Sequence, residues 1–366
     1  MLEYQIAFSQ LKGMNLELAN QILSTIPSER DFLTLPQSEL EQILGVQNRI
    51  FDDKYRRELL EKSKRELDAL TKYEIQATYF TDKEYPSRFF SAYDAPILYY
   101  TRGNCNLNRA KAISIVGTRN ATTYGKNFCN TLVKELHEQL DDIIIVSGLA
   151  YGIDIAAHNA ALQYNLPTVA VLAQGLNSVY PAAHRNYANN IIRSGGALLS
   201  DYTTQDSVHR ANFLARNRII AALADCVIVV ESSSKGGAIT TAKLAQSYNR
   251  DCFALSGRYN DEFSIGCNNL IRNNYATLFN SADDLIDSMR WEKSETIQPK
   301  QTELFPELTT DESAILTLFP SAGDSIHINK LCELSSSTIS QLLTTLMELE
   351  FKGLIQSLAG GKYLKL

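Results

Sequence analysis

The sequence predicts an α/β fold built on a doubly wound, parallel β-sheet. Between residues 112 and 288, short apolar runs alternate with stretches of helical length. The runs are almost uninterrupted in apolar residues, which is typical of strands covered on both faces. They read AISIVG, IIIVSG, TVAVLA, ALLSDY, CVIVVE and CFALSG. Because strands that alternate with helices form a parallel sheet between two helical layers, we expect a Rossmann-like domain over residues 76–289.

The first 75 residues predict a separate helical domain. Apolar residues recur at helical spacing within 16–23 and 40–44, and Gly and Pro separate the segments. The run PQSELEQILGV has the helix, short turn and helix pattern of a sterile alpha motif (SAM) or a helix-hairpin-helix unit. Ordinary packing of amphipathic helices explains the same pattern, so the type of helical domain stays open.

The C-terminal region predicts a linker followed by a small domain. Residues 290–308 are polar and lack periodicity, which is typical of a linker. Residues 309–366 contain three helical segments and then two strand-like runs around Gly360 and Gly361, the pattern of a winged helix. Its candidate recognition helix, SSSTISQLLTTLMELE, contains no Lys or Arg. Since groove binding relies on such residues, we expect this domain to contact protein, or DNA only weakly.

Composition argues against a membrane protein and against a metal site. No apolar run approaches the roughly 18 residues of a spanning helix, and MLEYQIAFSQ lacks the basic and apolar regions of a signal peptide. We therefore expect a cytoplasmic protein without membrane contact. The six cysteines form no CxxC pair and the chain has no HExxH motif. We expect reduced cysteines, no metal and no cofactor.

Charge is distributed unevenly along the chain. The formal net charge is −6, yet residues 95–280 contain 16 Lys and Arg against 12 Asp and Glu. Within this part, residues 95–134, 155–200 and 207–224 contain basic residues and no acidic residue. Any one of these charges is equally typical of a solvated surface. Three acid-free windows together favour a ligand that carries phosphates.

Two loops after predicted strands combine residues suited to nucleic acid. The carboxyl ends of parallel strands meet at one edge of a sheet, where open α/β proteins bind ligands. After the first strand, Gly117 allows a tight turn and Arg119 supplies a bidentate phosphate donor. After the third, Tyr180 is suited to stacking on a base and Arg185 to binding a phosphate. An arginine that caps a neighbouring helix and an ordinary surface turn are the alternative interpretations of these loops.

Further candidates supply backbone or hydroxyl groups at the same predicted edge. Glycine-containing turns at helix starts direct backbone N–H groups at anions. These candidates are Thr118, Ser147, Gly148, Gly236, Gly237 and Thr240. A GxGxxG motif and an acidic ribose ligand are missing from the sequence, which argues against NAD or FAD. His158 follows Asp154 by four residues on a predicted helix, and we interpret it as a packing residue and not as a catalytic base.

Six segments together resemble the DprA family, also called the DNA processing or Smf family. They are GTRNATTYG, SGLAYGIDIAAHNAAL, GLNSVYPAAHR, FLARNRIIAALADCVIVVE, GGAITTA and SIGCNNLIRNNYA. The resemblance covers residues 95–280. It implies a homodimer, formed through the Rossmann-like domain, that binds and protects single-stranded DNA in natural transformation and loads the RecA recombinase on it. It implies no chemical step.

The family's DNA-binding residues are assigned here by resemblance. Its Gly-x-Arg turn falls on Gly117 and Arg119, and its basic residue after Tyr-Pro falls on Arg185. Its Arg-Asn-Arg run falls on Arg216, Asn217 and Arg218, where phosphate contact and intramolecular bracing both remain open.

A nucleotide hydrolase is the alternative function. FLARNR followed by KGGAITTAK resembles the MxxRK and PGGxGTxxE motifs of LOG-type nucleotide phosphoribohydrolases. In that family a glutamate after the glycine turn carries catalysis. Lys243 stands at its position, and a lysine cannot act as a carboxylate general base. We therefore expect a protein without enzymatic activity and without catalytic residues.

Overall fold

The computed structural model of the protein describes residues 1–294, 308–319, 325–335, 338–358 and 360–365. They belong to two compact units, Met1–Ser294 and Glu295–Leu366. The linker expected at 290–308 lies mostly outside the described residues, and the finer domain boundaries stay predictions. Among the described helices, none combines the length and the apolar character needed to cross a bilayer.

The first unit begins with five helices, which confirms the predicted helical N-terminus. They are α1 (Leu2–Ser9), α2 (Leu16–Thr25), α3 (Glu29–Thr34), α4 (Gln37–Leu44) and α5 (Asp53–Tyr73). Phe8, Phe32 and Phe51 meet edge to face in their core, with ring centroids 5.4 and 5.9 Å apart. The side chain of Arg56 is buried beside them and donates to the carbonyl oxygens of Phe51, Phe32 and Leu35. These helices therefore share one apolar core closed by a buried polar network.

Nine strands of the first unit form one sheet. They are β1 (Gln76–Tyr79), β2 (Leu98–Gly103), β3 (Lys111–Val116), β4 (Ile143–Ser147), β5 (Thr168–Val171), β6 (Ala197–Ser200), β7 (Cys226–Val229), β8 (Asp251–Leu255) and β9 (Thr277–Phe279). Their order is β1-β2-β6-β5-β4-β3-β7-β8-β9. Strands β3 to β9 pair in parallel, whereas β2 runs antiparallel to both β1 and β6. The chain builds outward from β3 to β6 and then returns to the other side of β3, which confirms the doubly wound sheet.

Helices cover both faces of this sheet. They are α6 (Thr123–Gln139), α7 (Ile153–Gln163), α8 (Arg185–Arg193), α9 (Arg210–Ala222), α10 (Gly237–Ser247), α11 (Ile265–Arg272) and α12 (Ala282–Met289). Alternate residues of β7 enter different cores: Val227 belongs to the core that includes residues of α8, α9 and α10, whereas Ile228 belongs to the core that includes residues of α6, α7 and α12. Burial on both faces explains why the strands read as continuous apolar runs.

The second unit is a winged helix, as predicted. Its helices are α13 (Thr310–Thr317), α14 (Ile328–Ser335) and α15 (Ile339–Phe351), and its strands are β10 (Ser325–His327), β11 (Ile355–Leu358) and β12 (Lys362–Lys365). The strands form an antiparallel sheet in the order β10-β12-β11. Leu331, Leu342, Leu346, Leu349 and Ile355 are buried in its core.

Two loops of the first unit interlock through glycine. Gly152 has φ +79°, and a Cβ atom there would lie 2.1 Å from the carbonyl oxygen of Thr118. The neighbouring Ile153 donates its N–H to that oxygen at 3.1 Å. A Cβ at Gly117 would lie 2.4 Å from Cγ1 of Ile153. The loop after β3 and the loop after β4 therefore approach more closely than side chains would allow.

We predict that Gly152→Ala destabilises the protein far more than Gly195→Ala. Gly195 has φ +77° but open space around its Cα, so the alanine there incurs only a backbone cost of about 1 kcal/mol. Only the alanine at 152 must also displace Thr118, which adds roughly 1–3 kcal/mol. Urea denaturation of both variants measures the difference. Equal losses would contradict the interlock.

Candidate nucleic-acid interface

The loops that follow β5, β4, β3, β7 and β8 lie side by side along one edge of the sheet, which we call the carboxyl edge. Successive strands are added on one side of β3 up to β6 and on its other side from β7 onward, so the β3–β7 pair is the topological switch point where open α/β sheets bind ligands. Ser147 is the last residue of β4, and the other candidate site residues lie on one of these loops or on α8, α9 or α10.

Arg119, Tyr180 and Phe213 form a cation–aromatic cluster at this edge. The guanidinium carbon of Arg119 lies 5.4 Å from the ring centroid of Phe213. The ring of Tyr180 lies 5.6 Å from the same centroid at an interplanar angle of 60°. Arg119 is exposed, and Tyr180 is 53% exposed. The cluster therefore offers solvent a cation beside an aromatic face, which is the combination that binds unstacked bases and phosphates.

Phe213 was missed by the sequence analysis. It lies on α9, three residues before Arg216. Its ring contacts both Arg119 and Tyr180, which lie on two loops and are 61 residues apart in sequence. The available signal was its position at the head of the FLARNR segment, one helical turn from the first arginine of that run.

Arg185 is exposed at the first position of α8. The residue before it, His184, is buried and donates its Nδ1–H to the carbonyl oxygen of Leu149 at 2.8 Å. The ring of Tyr151 packs edge-on against His184 at 4.6 Å. The loop after β4 thus anchors the start of α8 and holds the base of Arg185 at the carboxyl edge.

Arg216 lies inside the fold. It is 4% exposed, and its guanidinium donates to the carbonyl oxygens of Gly148, at 2.8 Å, and Val171. A Cβ at Gly148 would lie 2.6 Å from both Nη2 of Arg216 and Oδ2 of Asp154. Burial raises the pKa of Asp154, and the positive charges of Arg216 and Arg119 oppose that rise. These contacts connect α9 to the ends of β4 and β5. Of the two roles left open for Arg216, phosphate contact and intramolecular bracing, its contacts fit bracing.

The next two residues of the run also make internal contacts. Asn217 is buried, and its amide approaches the carbonyl oxygen of Gly237 at 3.5 Å. Arg218 is partly exposed, forms an ion pair with Asp201 and donates to the carbonyl oxygen of Asp94. The three residues therefore face the sheet, the start of α10 and the segment before β2, respectively.

The double-glycine turn exposes the start of α10. Gly237 is exposed and a Cβ there would meet only the amide of Asn217, at 3.9 Å. Thr240 is exposed on the first turn of α10, where no acidic residue occurs. Lys235 is exposed just before the turn. Free N–H groups at a helix start, with a lysine nearby, favour an anion at this position.

Glu231 holds the loop after β3 at the switch point between β3 and β7. It follows β7, is 4% exposed, and accepts hydrogen bonds from the backbone N–H and the hydroxyl group of Thr122. Gly125 leaves room for it, since a Cβ there would lie 2.4 Å from its Oε2. The local sequence around Glu231 contains no motif that indicates this role. The carboxylate of Glu231 holds the loop after β3 through these hydrogen bonds and is buried away from solvent.

The predicted site residues therefore separate into exposed and interior groups. The exposed ones are Arg119, Tyr180, Arg185, Gly237 and Thr240, the partly exposed ones are Gly117, Thr118, Arg218 and Gly236, and the buried ones are Ser147, Gly148, Arg216 and Asn217. Ser147 donates its hydroxyl to the carbonyl oxygen of Ile115 at 2.6 Å. No group of three or more possible metal ligands occurs among the described residues.

The fold is a doubly wound α/β domain followed by a winged helix. The exposed residues of the carboxyl edge are of the kinds that bind nucleic acid, namely arginines beside an aromatic ring. The family model described as DNA recombination-mediator protein A matches residues 76–290, and that of the DprA winged helix domain matches residues 299–361. The chain belongs to the DNA recombination-mediator protein A (DprA) family, whose members are DNA-processing recombination mediators.

Known relatives agree in sequence and in fold. Protein Smf of Escherichia coli is 30% identical over 286 residues, 76% of this chain and 74% of the relative. DNA processing protein DprA of Streptococcus pneumoniae is 37% identical over 205 residues, 56% of this chain and 71% of the relative. The X-ray structure of the S. pneumoniae protein covers 78% of this chain and 98% of its own, with TM-score 0.63 and 30% identity. DNA processing protein A of Helicobacter pylori, described with a single-stranded DNA binding mode, covers 60% of this chain and 97% of its own, with TM-score 0.53 and 30% identity.

We predict that Arg216→Lys lowers the free energy of unfolding by about 2–3 kcal/mol. A single ammonium cannot replace a planar guanidinium that donates to carbonyl oxygens on two strands, and one buried acceptor is left without a partner. Arg185→Lys, on an exposed arginine, should change stability by less than about 0.5 kcal/mol. Urea denaturation of both variants measures the contrast. A loss at 216 as small as that at 185 would contradict the bracing role.

His158 makes stability depend on pH. Burial, together with the neighbouring charge of Arg216, lowers the pKa of His158 to about 3. Its Nδ1–H donates to the hydroxyl oxygen of Thr168 at 2.7 Å, since that hydroxyl itself donates to Ile145. The unfolded chain binds a proton near pH 6.5, whereas the folded chain does so only near pH 3. The stability contributed by neutral His158 is therefore complete above pH 6.5 and declines as the pH falls toward 3.

We predict that His158→Asn flattens this pH dependence. Between pH 7 and pH 5, the native protein should lose about 2 kcal/mol more than the variant, at about 1.4 kcal/mol per pH unit below 6.5. His209→Asn, at an exposed histidine, should retain the native slope. Urea denaturation at pH 7, 6 and 5 tests both variants. Identical slopes for the native protein and His158→Asn would show that His158 does not carry the effect.

Proposed function

We propose that this protein binds single-stranded DNA across the carboxyl edge of its sheet, protects it and delivers it to the RecA recombinase during natural transformation. The observation that carries the proposal is the cation–aromatic cluster of Arg119, Tyr180 and Phe213, with Arg185 exposed on the neighbouring loop. The single-stranded DNA binding mode described for the H. pylori relative supports it.

The cluster is suited to single strands because it offers an aromatic face. Tyr180 is half exposed beside Phe213, so an unstacked base of a single strand can stack on the tyrosine ring. Bases inside a duplex are already stacked on both faces and cannot use that ring. The Arg119 and Arg185 side chains and the open start of α10 then supply cations and N–H groups for the phosphates between bases.

The proposed role is binding without a chemical step. Lys243 occupies the position of the LOG glutamate, and its ammonium lies 5.5 Å from the ring centroid of Tyr275. A lysine held over a ring supplies a cation and not a carboxylate base. Incubation with nucleoside monophosphates, followed by chromatography for free base, tests this part. Base release that disappears in Lys243→Ala would overturn it.

We predict that single-stranded oligothymidine binds more tightly than a duplex of equal length, measured by fluorescence anisotropy at low salt. Affinity for the single strand should fall with salt at a log-log slope of roughly −0.7 per phosphate contacted. Arg119→Ala and Arg185→Ala should each weaken binding several-fold and make the slope shallower. Phe213→Ala should cost about 1–3 kcal/mol of binding free energy and leave the slope unchanged, because stacking does not release counterions.

Two matched controls distinguish site residues from general surface residues. Arg193 is exposed in the last turn of α8, the helix that Arg185 begins, so Arg193→Ala removes the same charge from the opposite end. Leu214 is exposed directly after Phe213, so Leu214→Ala removes apolar surface beside the cluster. Both controls should bind within about two-fold of the native protein. Equal losses in the controls and the site variants would contradict the proposed interface.

The delivery step and the expected homodimer need their own measurements. RecA-dependent strand exchange on DNA coated with single-strand-binding protein should accelerate when this protein is added, and Arg119→Ala should require a several-fold higher protein concentration for the same acceleration. Sedimentation of the full chain measures its assembly state. DNA binding without any effect on RecA would restrict the function to protection of the strand.

A further inference from the structure

Helix α15 of the winged helix has apolar side chains on two faces. Leu342, Leu346 and Leu349 point into the core and are buried. Ile339, Leu343 and Met347 lie on a second face, 55%, 38% and 58% exposed. Positions i, i+4 and i+8 align along a helix, so the second set forms a continuous line roughly 12 Å long. We call these three residues the apolar row.

The charges beside the row do not suit duplex DNA. Helix α15 precedes the β11–β12 hairpin, the place of a recognition helix, yet it contains no Lys or Arg. Its charged side chains are Glu348 and Glu350, both exposed. A helix that enters a groove with only apolar and acidic side chains would meet phosphates without a compensating cation. The apolar row is therefore better suited to packing against a protein surface than against duplex DNA.

The charge distribution identifies a second copy of the same helix as that surface. Both carboxylates lie at the C-terminal end of α15, while its first turn contains no acidic residue and carries the positive end of the helix dipole. Glu350 is held there by the backbone N–H and hydroxyl group of Ser357, at 2.8 and 2.7 Å. An antiparallel pair would place Glu350 of each copy near the N-terminal end of the other helix, whereas a parallel pair would bring like charges together.

We propose that the apolar rows of two copies of this protein pack against each other in antiparallel orientation. In this arrangement Leu343 lies on the twofold axis against its own counterpart, and Ile339 packs against Met347 of the other copy. Ser340 and Thr344 are exposed beside the row and are small enough to let the two helices approach closely. The contact is self-complementary, as a twofold interface requires.

The contact is weak by itself. Three partly exposed side chains bury much less than the roughly 800 Å² per partner of a standard stable interface. It forms at high protein concentration, or where two copies are already tethered through another surface and the effective concentration is high. Pairing of the apolar rows is independent of DNA binding at the carboxyl edge, since the two use different residues.

Disulfide trapping in the full chain tests the pairing. The half-exposed thiols Cys105 and Cys332 are first replaced by alanine. Leu343→Cys should then form a covalent dimer under mild oxidation at least ten-fold more than Thr317→Cys, an exposed position on α13. A mixture of Ile339→Cys and Met347→Cys chains should cross-link between the two types more than within either. No excess at 343, at concentrations up to about 100 µM, would overturn the proposal, as would dominant 339–339 and 347–347 links.

A charge placed on the row provides the second arm. Leu343→Glu, added to the Ile339→Cys and Met347→Cys chains, should reduce their mutual cross-linking at least ten-fold, whereas Leu343→Met should retain it. Unchanged urea midpoints verify that both variants fold. Single-stranded DNA affinity should stay within two-fold of native. If duplex DNA blocks the 343 cross-link and Leu343→Glu weakens duplex binding, α15 reads DNA and the proposal is wrong.

Discussion

The buried guanidinium of Arg216 connects helix α9 to the ends of two strands, and the exposed surface of the carboxyl edge depends on this connection. It donates to carbonyl oxygens at the ends of β4 and β5 from a position on α9. The same helix carries Phe213 one turn earlier, so the position of α9 sets where that ring lies between Arg119 and Tyr180. A planar group with several donors can hold two strand ends and a helix together at once.

The carboxyl edge has an interior of buried, hydrogen-bonded charged residues and an exterior of exposed ones. Inside lie Arg216, Asp154 and Glu231, whose hydrogen bonds go to loop backbone and to Thr122. Outside lie Arg119 and Arg185, which are available for a ligand. Charged groups buried with partners position the loops, whereas charged groups in solvent stay available to a ligand, because only the second kind can exchange water for phosphate at low cost.

Much of the fold and part of the site followed from local pattern. All six predicted strands of the middle region are present, since burial on both faces leaves a continuous apolar run. Strands β1, β2 and β9 were not individually predicted: β1 and β9 are short edge strands with weak patterns, and β2 pairs antiparallel outside the alternating region. Tyr180 and Arg185 entered the candidate site through a local aromatic and basic pair, and both are exposed at the carboxyl edge. Phe213 and Glu231 were missed, because their roles arise from contacts with loops at least 33 and 109 residues away.

The sequence by itself determined the alternation of strands and helices, the family, and the edge of the sheet at which its polar loops collect. Those properties depend on the periodicity and order of residues along the chain. Tertiary structure alone decided that Arg216 is an internal brace while Arg119 is a surface cation, and that α15 exposes a second apolar face. Burial and hydrogen-bond partners are set by segments far apart in sequence, so two arginines of identical chemistry acquire opposite roles only when the chain is folded.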